Sequence, residues 1–271
     1  AWSGASQLDG DGMKTNNGEG SVNLSDKRVL VTGGGSGLGR VLALDFANAG
    51  AEVHVCGRRR EPLDDLASNY KNILVHQLDV TDEDGTEAMF NAIGDVEIVI
   101  ANAGAADSAP LHRTSTELWH QMIAVNLTGC FLTFRAGVQR LRDAKATWGR
   151  LIAISSTTGL SGHKYTSAYG ASKHGVNGLV RITAAELAGS GITANALCPG
   201  YLDTEMTERS IKNIVTKTGN SRENAIAVLS GMSPLGRLIK PQEVSKTALW
   251  LCGPGSDAVN GQTIAINGGE R

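Results

Sequence analysis

An apolar run at residues 29–31 leads into Thr32-Gly33-Gly34-Gly35-Ser36-Gly37-Leu38-Gly39, and a helix-like stretch follows at 38–48. Strand, glycine turn and helix in that order is the context that a dinucleotide-binding loop requires. Glycines let the backbone turn tightly and approach a pyrophosphate, while the first helical turn offers free N–H groups and the positive end of its dipole. A glycine-rich turn that holds no ligand is the plain alternative.

The rest of the chain repeats the alternation. Short β-rich apolar runs occur at 29–31, 53–56, 73–75, 96–100, 151–154, 192–197 and 263–266, with helical patterns at 38–48, 82–93, 118–141, 168–188 and 242–251 between them. Short strands that are almost wholly apolar, alternating with helices, imply a parallel sheet covered on both faces. Right-handed crossovers then give an α/β, doubly wound parallel sheet of the Rossmann type. At 271 residues, with no repeat and no Pro/Ser-rich linker, a single domain over 25–271 is expected. Residues 1–24 are rich in Gly, Ser, Asn and Asp and lack both the basic start and the apolar stretch of a signal peptide. They are expected to be a disordered tail or an expression scar.

A net charge of −2 and a pI near 6.3 give no electrostatic case for nucleic acid or an anionic membrane. No apolar run has the length of a membrane span. Cys56, Cys130, Cys198 and Cys252 are scattered through apolar contexts with no metal-ligand spacing. They read as buried, reduced thiols of a cytoplasmic protein without a metal.

A second constellation lies downstream. Tyr169 and Lys173 stand one turn apart on a common face if 168–188 is helical, and Ser156 sits in Ile154-Ser155-Ser156-Thr157-Thr158-Gly159. A lysine close to a phenol favours the phenolate and lowers its pKa, so that the tyrosine could exchange a proton near neutral pH. A serine hydroxyl nearby could hold a substrate oxygen. Taken alone, the Tyr/Lys spacing equally describes a solvated pair on a helix surface.

Thr32-Gly33 followed by Gly37-Leu38-Gly39 resembles the glycine pattern of the short-chain dehydrogenase/reductase family, in its shorter single-domain branch. Asp79 in Leu-Asp-Val, Ala-Asn-Ala-Gly at 101–104, Val-Asn-Leu-Thr-Gly at 125–129, Ser156, the Tyr169/Lys173 pair and Cys-Pro-Gly-Tyr-Leu-Asp-Thr at 198–204 follow in family order, so the resemblance spans about 26–269. It implies that Gly33, Gly35, Ser36, Gly37, Leu38 and Gly39 embrace the cofactor's pyrophosphate. Asp79 and Val80 would flank the adenine, and Asn102, Ala103 and Gly104 the adenosine ribose. Pro199, Gly200, Leu202 and Thr204 would hold the nicotinamide. Asp79 as a strand-end cap and Asn102 as a turn former are the simpler readings. Where NAD-binding relatives place an acidic residue after the second strand, this chain has Gly57, followed by Arg58, Arg59 and Arg60. A guanidinium fits a phosphate bidentately, so Arg58, with Arg59 beside it, is expected to select NADP(H) over NAD(H). Ser36, where many NADP-dependent relatives carry Arg or Lys, points the other way.

The resemblance also assigns Tyr169 as general acid/base and Lys173 as the residue that binds the nicotinamide ribose and lowers the Tyr169 pKa. It gives Ser156 the carbonyl oxygen, with Ser155 its rival, and Asn126 a water that relays protons to Lys173. Asn126 could instead simply bond a neighbouring carbonyl. His112, His163 and His174 read as surface or pocket residues. The substrate is expected beyond the C-terminal ends of the strands, under a lid of two amphipathic helices at 201–235. An NADPH-dependent ketone reductase or alcohol dehydrogenase is the leading reading. A 3-oxoacyl thioester reductase is the second, with Arg113, Arg135 and Arg181 as weak candidates to meet a carrier or coenzyme phosphate. A non-catalytic NADP-binding regulator is remote, because Asn126, Ser156, Tyr169 and Lys173 are all intact. Thr166, where hydroxybutyrate dehydrogenases carry a lysine, speaks against a small free acid. Relatives are mostly homotetramers, so a homo-oligomer is expected.

Overall fold

The computed structural model describes residues 22–270. Seven strands, β1 (Arg28–Thr32), β2 (Glu52–Gly57), β3 (Ile73–Gln77), β4 (Ile98–Ala101), β5 (Gly149–Ile154), β6 (Ile192–Pro199) and β7 (Thr263–Ile266), form one sheet. Every pairing is parallel and the order is β3-β2-β1-β4-β5-β6-β7. The expected doubly wound α/β sheet is therefore observed.

Alternate residues of each strand feed opposite faces. Val29, Val31, Ile98, Ile100, Ile152 and Ile154 pack under helices α1 (Gly37–Asn48), α2 (Arg60–Ser68) and α9 (Pro241–Cys252). Leu30, Val99, Ala101, Leu151 and Ala153 pack under α3 (Glu83–Ile93), α5 (Gly129–Asp143) and α6 (Ser167–Glu186). Phe46 of α1 and Phe134 of α5 are fully buried on the two faces, each worth roughly 2–3 kcal/mol of burial. All four cysteines are free and buried. No helix of the described residues is long and apolar enough to cross a membrane.

Three departures from the sequence reading have physical causes. Leu24 is 2% exposed and its N–H bonds the Ala49 carbonyl at 2.8 Å, so packed chain begins before residue 25; of the expected tail, residues 1–21 lie outside the described part. Helix α2 escaped the pattern because only Leu63 and Leu66 are buried in a highly charged segment with Pro62 in its first turn. The expected helix 118–141 is broken into α4 (Thr116–Ile123) and α5 by a π-turn, Ala124–Thr128, in which the Gly129 N–H reaches back to the Ala124 carbonyl. The two helices expected within 201–235 are present as α7 (Glu205–Thr218) and α8 (Arg222–Ser230), which bury Ile211, Ala225 and Leu229 in a small cluster of their own.

Candidate active site

The strand order reverses between β1 and β4, and the C-terminal ends of these strands are where an open α/β sheet binds ligands. The glycine loop leaves β1 there. Gly33 and Gly37 take φ of +67° and +52°, which side chains resist. A β-carbon at Gly39 would collide with the Gly33 carbonyl oxygen, so the turn closes only on glycine. Ser36 precedes α1 in extended conformation without a side-chain cap, and the first turn carries no acidic residue. Its N–H groups are left for an anion, and this cradle fits a dinucleotide pyrophosphate.

Neighbouring strands brace the loop. The Asn102 side chain donates to the carbonyls of Thr32 (2.8 Å) and Gly33 (3.3 Å), while the Thr32 hydroxyl accepts the N–H groups of Asn102 (3.0 Å) and Ala103 (2.9 Å). Asn102 is thus a clamp on the loop, Ala103 lines it through its backbone against Gly33, and Gly104 lies beside Asn126 and Lys173. From the other side, Thr204 lies over the loop, its Cβ 3.6 Å from where a β-carbon on Gly37 would stand. Leu202 is bridged to Ile239 and partly packed on the core. These contacts bring the 199–204 segment across from the glycines.

Beyond Gly57 the chain borders a groove of about 660 Å³ whose walls include Arg58, Gln77, Asp79 and Met89. The Gln77 amide bonds the Arg58 carbonyl at 3.0 Å. Arg60 is held by Asp64 at 2.8 Å and Arg40 by Asp65 at 3.0 Å, whereas Arg58 and Arg59 are exposed and make no ion pair among the described residues. The Asp79 carboxyl is held below its usual range, first by the Thr81 N–H, which it accepts at 3.0 Å. Val80 backs against Gly129 at the start of α5.

The proton-handling groups stand at the end of β5 and on the first turns of α6. Ser155 and Ser156 face different ways. Ser155 is buried and donates to the Lys173 carbonyl at 3.3 Å. Ser156 caps a 3₁₀ turn by accepting the Thr158 N–H at 3.2 Å and lies beside the Tyr169 phenol. Of the two serines, Ser156 is the one that meets the tyrosine. Lys173, 5% exposed, donates to the Ile154 carbonyl at 2.7 Å and sits 5.8 Å from the centre of the Tyr169 ring.

One expectation about this group changes. Burial pushes the Tyr169 phenol up from its ordinary pKa, and the Ser156 hydroxyl offsets only part of that. Burial likewise brings Lys173 down to about 8. At Tyr169 burial therefore sets an upward direction, where a lowered value was expected. Asn126, 1% exposed, accepts the Ala105 N–H at 2.8 Å and donates to the Ala105 carbonyl and the Ser172 hydroxyl, both at 3.0 Å. Through these bonds its amide clamps the loop after β4 to α6.

Sequence reasoning missed Glu270, read His163 as a surface or pocket residue, and placed Tyr201 only at the start of the lid stretch. Tyr201 follows Gly200 and lies close enough to Tyr169 to act on its ionisation, and Glu270 acts in the same way on Tyr201. The signal was thin, because Glu270 is a single residue after Gly268-Gly269, far along the chain from the loops it meets.

A family model described as short chain dehydrogenase matches residues 27–214. D-beta-hydroxybutyrate dehydrogenase of Rhizobium meliloti is 32% identical over 255 residues, covering 90% of this chain and 98% of its own length. The 3-oxoacyl-(acyl-carrier-protein) reductase FabG of Thermotoga maritima is 34% identical over 256 residues, covering 92% and 99%. Among solved structures, a single-residue variant of actinorhodin polyketide ketoreductase with NADPH superposes with a TM-score of 0.87 at 31% identity, over 91% of this chain and 98% of that one.

Proposed function

The chain belongs to the short chain dehydrogenase family, and from that premise we propose that it is an NADPH-dependent ketone reductase with Tyr169 as its proton donor. As an oxidoreductase of this family it interconverts hydroxyl and carbonyl groups with a nicotinamide dinucleotide. The observation that carries the reading is the placement of Ser156 against Tyr169 at the end of β5, with the ammonium of Lys173 behind them.

NADPH, when bound, supplies the hydride. The remaining work falls to side chains. The Ser156 oxygen already accepts an N–H, so its own hydrogen is free to be donated to a carbonyl oxygen and to the charge that grows there. Tyr169, kept protonated by burial, gives its proton to that oxygen. Lys173 places a positive charge behind the ring as the phenol loses its proton. In the oxidative direction Tyr169 acts as the base, and its raised pKa means that this form is reached only at alkaline pH. Arg58 and Arg59, without ion pairs among the described residues and beside the groove, support a 2′-phosphate and hence NADPH.

Reduction of a 3-oxoacyl thioester is the second reading, supported by the likeness to the Thermotoga reductase. Arg135 loses standing as a partner for a carrier phosphate, because Glu83 holds it at 2.7 Å. NADPH oxidation with acetoacetyl-CoA, run beside acetophenone, separates the two. Turnover of acetophenone alone supports the free-ketone reading, and turnover of the thioester alone replaces it.

A further inference from the structure

Strand β7 runs beside β6 so that Ile266 is level with Pro199, and the Gly200 N–H bonds the Ile266 carbonyl at 3.1 Å. The chain leaving β7 therefore emerges at the same end of the sheet as Ser156 and Tyr169. It is folded back on itself there. Ser233 donates to the Asn267 carbonyl at 2.8 Å, Asn267 accepts the Gly269 N–H at 3.1 Å and donates to the Glu270 carbonyl at 2.8 Å. Gly268 and Gly269 make the turn with φ of +65° and +91°.

The turn delivers the Glu270 side chain into the site. Its Oε2 stands 3.2 Å from where a β-carbon on Gly200 would be, an approach that the glycine permits. The side chain is 8% exposed, and Oε1 is buried without a hydrogen-bond partner among the described residues. His163 lies opposite, its Nε2 3.8 Å from that oxygen, which is beyond hydrogen-bond distance. That histidine belongs to a loop held at a cost, since Tyr165 takes φ of +68° while its carbonyl accepts the Ala109 N–H at 2.8 Å. A buried carboxylate oxygen with no donor is expensive. Beside Gly200 and Tyr201, in the segment that faces the glycine loop, that oxygen is a demand placed on the ligand.

We propose that Glu270, flanked by His163, is the specificity-determining acceptor of this site and receives a substrate hydroxyl other than the one being interconverted. The substrate class is then a hydroxylated ketone and its diol. This rests on the ketone-reductase reading above.

The test compares kcat/KM for 2-hydroxyacetophenone and 3-hydroxypropiophenone, each against its parent ketone, in the wild-type protein and in Glu270→Leu and Glu270→Gln. At least one hydroxyketone should be preferred about 10- to 100-fold over its parent, which is what a hydrogen bond to a charged acceptor discriminates. The preference should collapse towards unity in Glu270→Leu and partly survive in Glu270→Gln, which keeps an accepting oxygen. A residue with a merely structural role would lower both substrates together and leave the ratio unmoved. No preference in the wild type overturns the proposal, as does a stronger preference for 2-aminoacetophenone, which would make the acceptor a cation site. If no ketone is reduced at all, the ketone-reductase reading fails by itself. Calorimetric titration of 1-phenyl-1,2-ethanediol against 1-phenylethanol then decides the subsite. Tighter binding of the diol, lost in Glu270→Leu, sustains it, and equal binding removes it.

Discussion

Lys173 donates a 2.7 Å hydrogen bond to the carbonyl of Ile154, the last residue of β5. This contact fastens α6, which carries Tyr169, to the strand that leads into Ser156. It also leaves the ammonium buried behind the phenol, and burial brings its pKa down to about 8. Tyr169 is pushed the opposite way. The two groups thus titrate in the reverse of the order that a tyrosine activated by its lysine would show.

That ordering gives the first prediction. The kcat/KM for NADPH reports ionisations of the free enzyme. Its alkaline limb should fall with an apparent pKa near 8, where Lys173 loses its charge. The limb should disappear in Lys173→Arg, whose guanidinium stays protonated across the range. A limb that persists in that variant belongs to another group.

Replacing Tyr169 by Phe removes the proton donor while keeping the ring. Turnover should drop by about 10²- to 10⁴-fold, the usual contribution of a positioned acid. NADPH affinity, followed by fluorescence titration, should change little, because the loop 32–39 and the N-terminus of α1 are untouched. Wild-type turnover in this variant would remove the phenol from the mechanism.

Arg58→Ala probes cofactor choice. Arg58 makes no ion pair among the described residues, so little of the fold depends on it. Loss of a charge-assisted contact to the 2′-phosphate should weaken NADPH by about 10- to 100-fold, with NADH nearly unaffected. Equal losses for both cofactors would show that the guanidinium does not read the phosphate.

The elements with strong periodicity were readable from the chain. The seven apolar runs became the seven strands, and the glycine loop declared its own turn because Gly33, Gly37 and Gly39 occupy positions that other residues cannot. Asn126, Ser156, Tyr169 and Lys173 were recognisable as motifs, and the fold gathers them from the turn after α4, the end of β5 and α6. Burial and partner choice were not readable. Nothing in Tyr-x-x-x-Lys tells that the lysine bonds a strand carbonyl, or that enclosure of the phenol outweighs a neighbouring charge. The π-turn at Ala124–Thr128 depends on one hydrogen bond of altered register, which helical periodicity does not reveal. Arg150 looks like a surface charge in sequence, yet it is 1% exposed, bonding the carbonyls of Leu251 (2.8 Å) and Gly149 (2.9 Å) and stacking on Trp148 at 4.5 Å. Leu251 lies far along the chain from Arg150, and only the fold brings the two together.

The last prediction concerns stability away from the site. His54 of β2 and His76 of β3 are joined by a 2.9 Å hydrogen bond between their rings, with Glu52 3.2 Å from the far nitrogen of His54. One ring must donate and the other accept, so the pair needs at least one neutral imidazole. Burial lowers both pKa values from 6.5; Glu52 opposes this at His54, while the charge of His54 adds to it at His76. The unfolded chain therefore takes up protons below about pH 6.5 that the folded chain refuses, and stability must rise with pH through that range. The contribution is complete above the unfolded value and is lost as the pH falls from about 6.5 towards the folded values. Thermal melts between about pH 7.5 and 5 should show Tm declining in this window, before the carboxylates begin to titrate. His76→Gln keeps a hydrogen-bonding side chain but cannot titrate, so it should flatten the decline. An unchanged slope in that variant would place the acid sensitivity elsewhere in the protein.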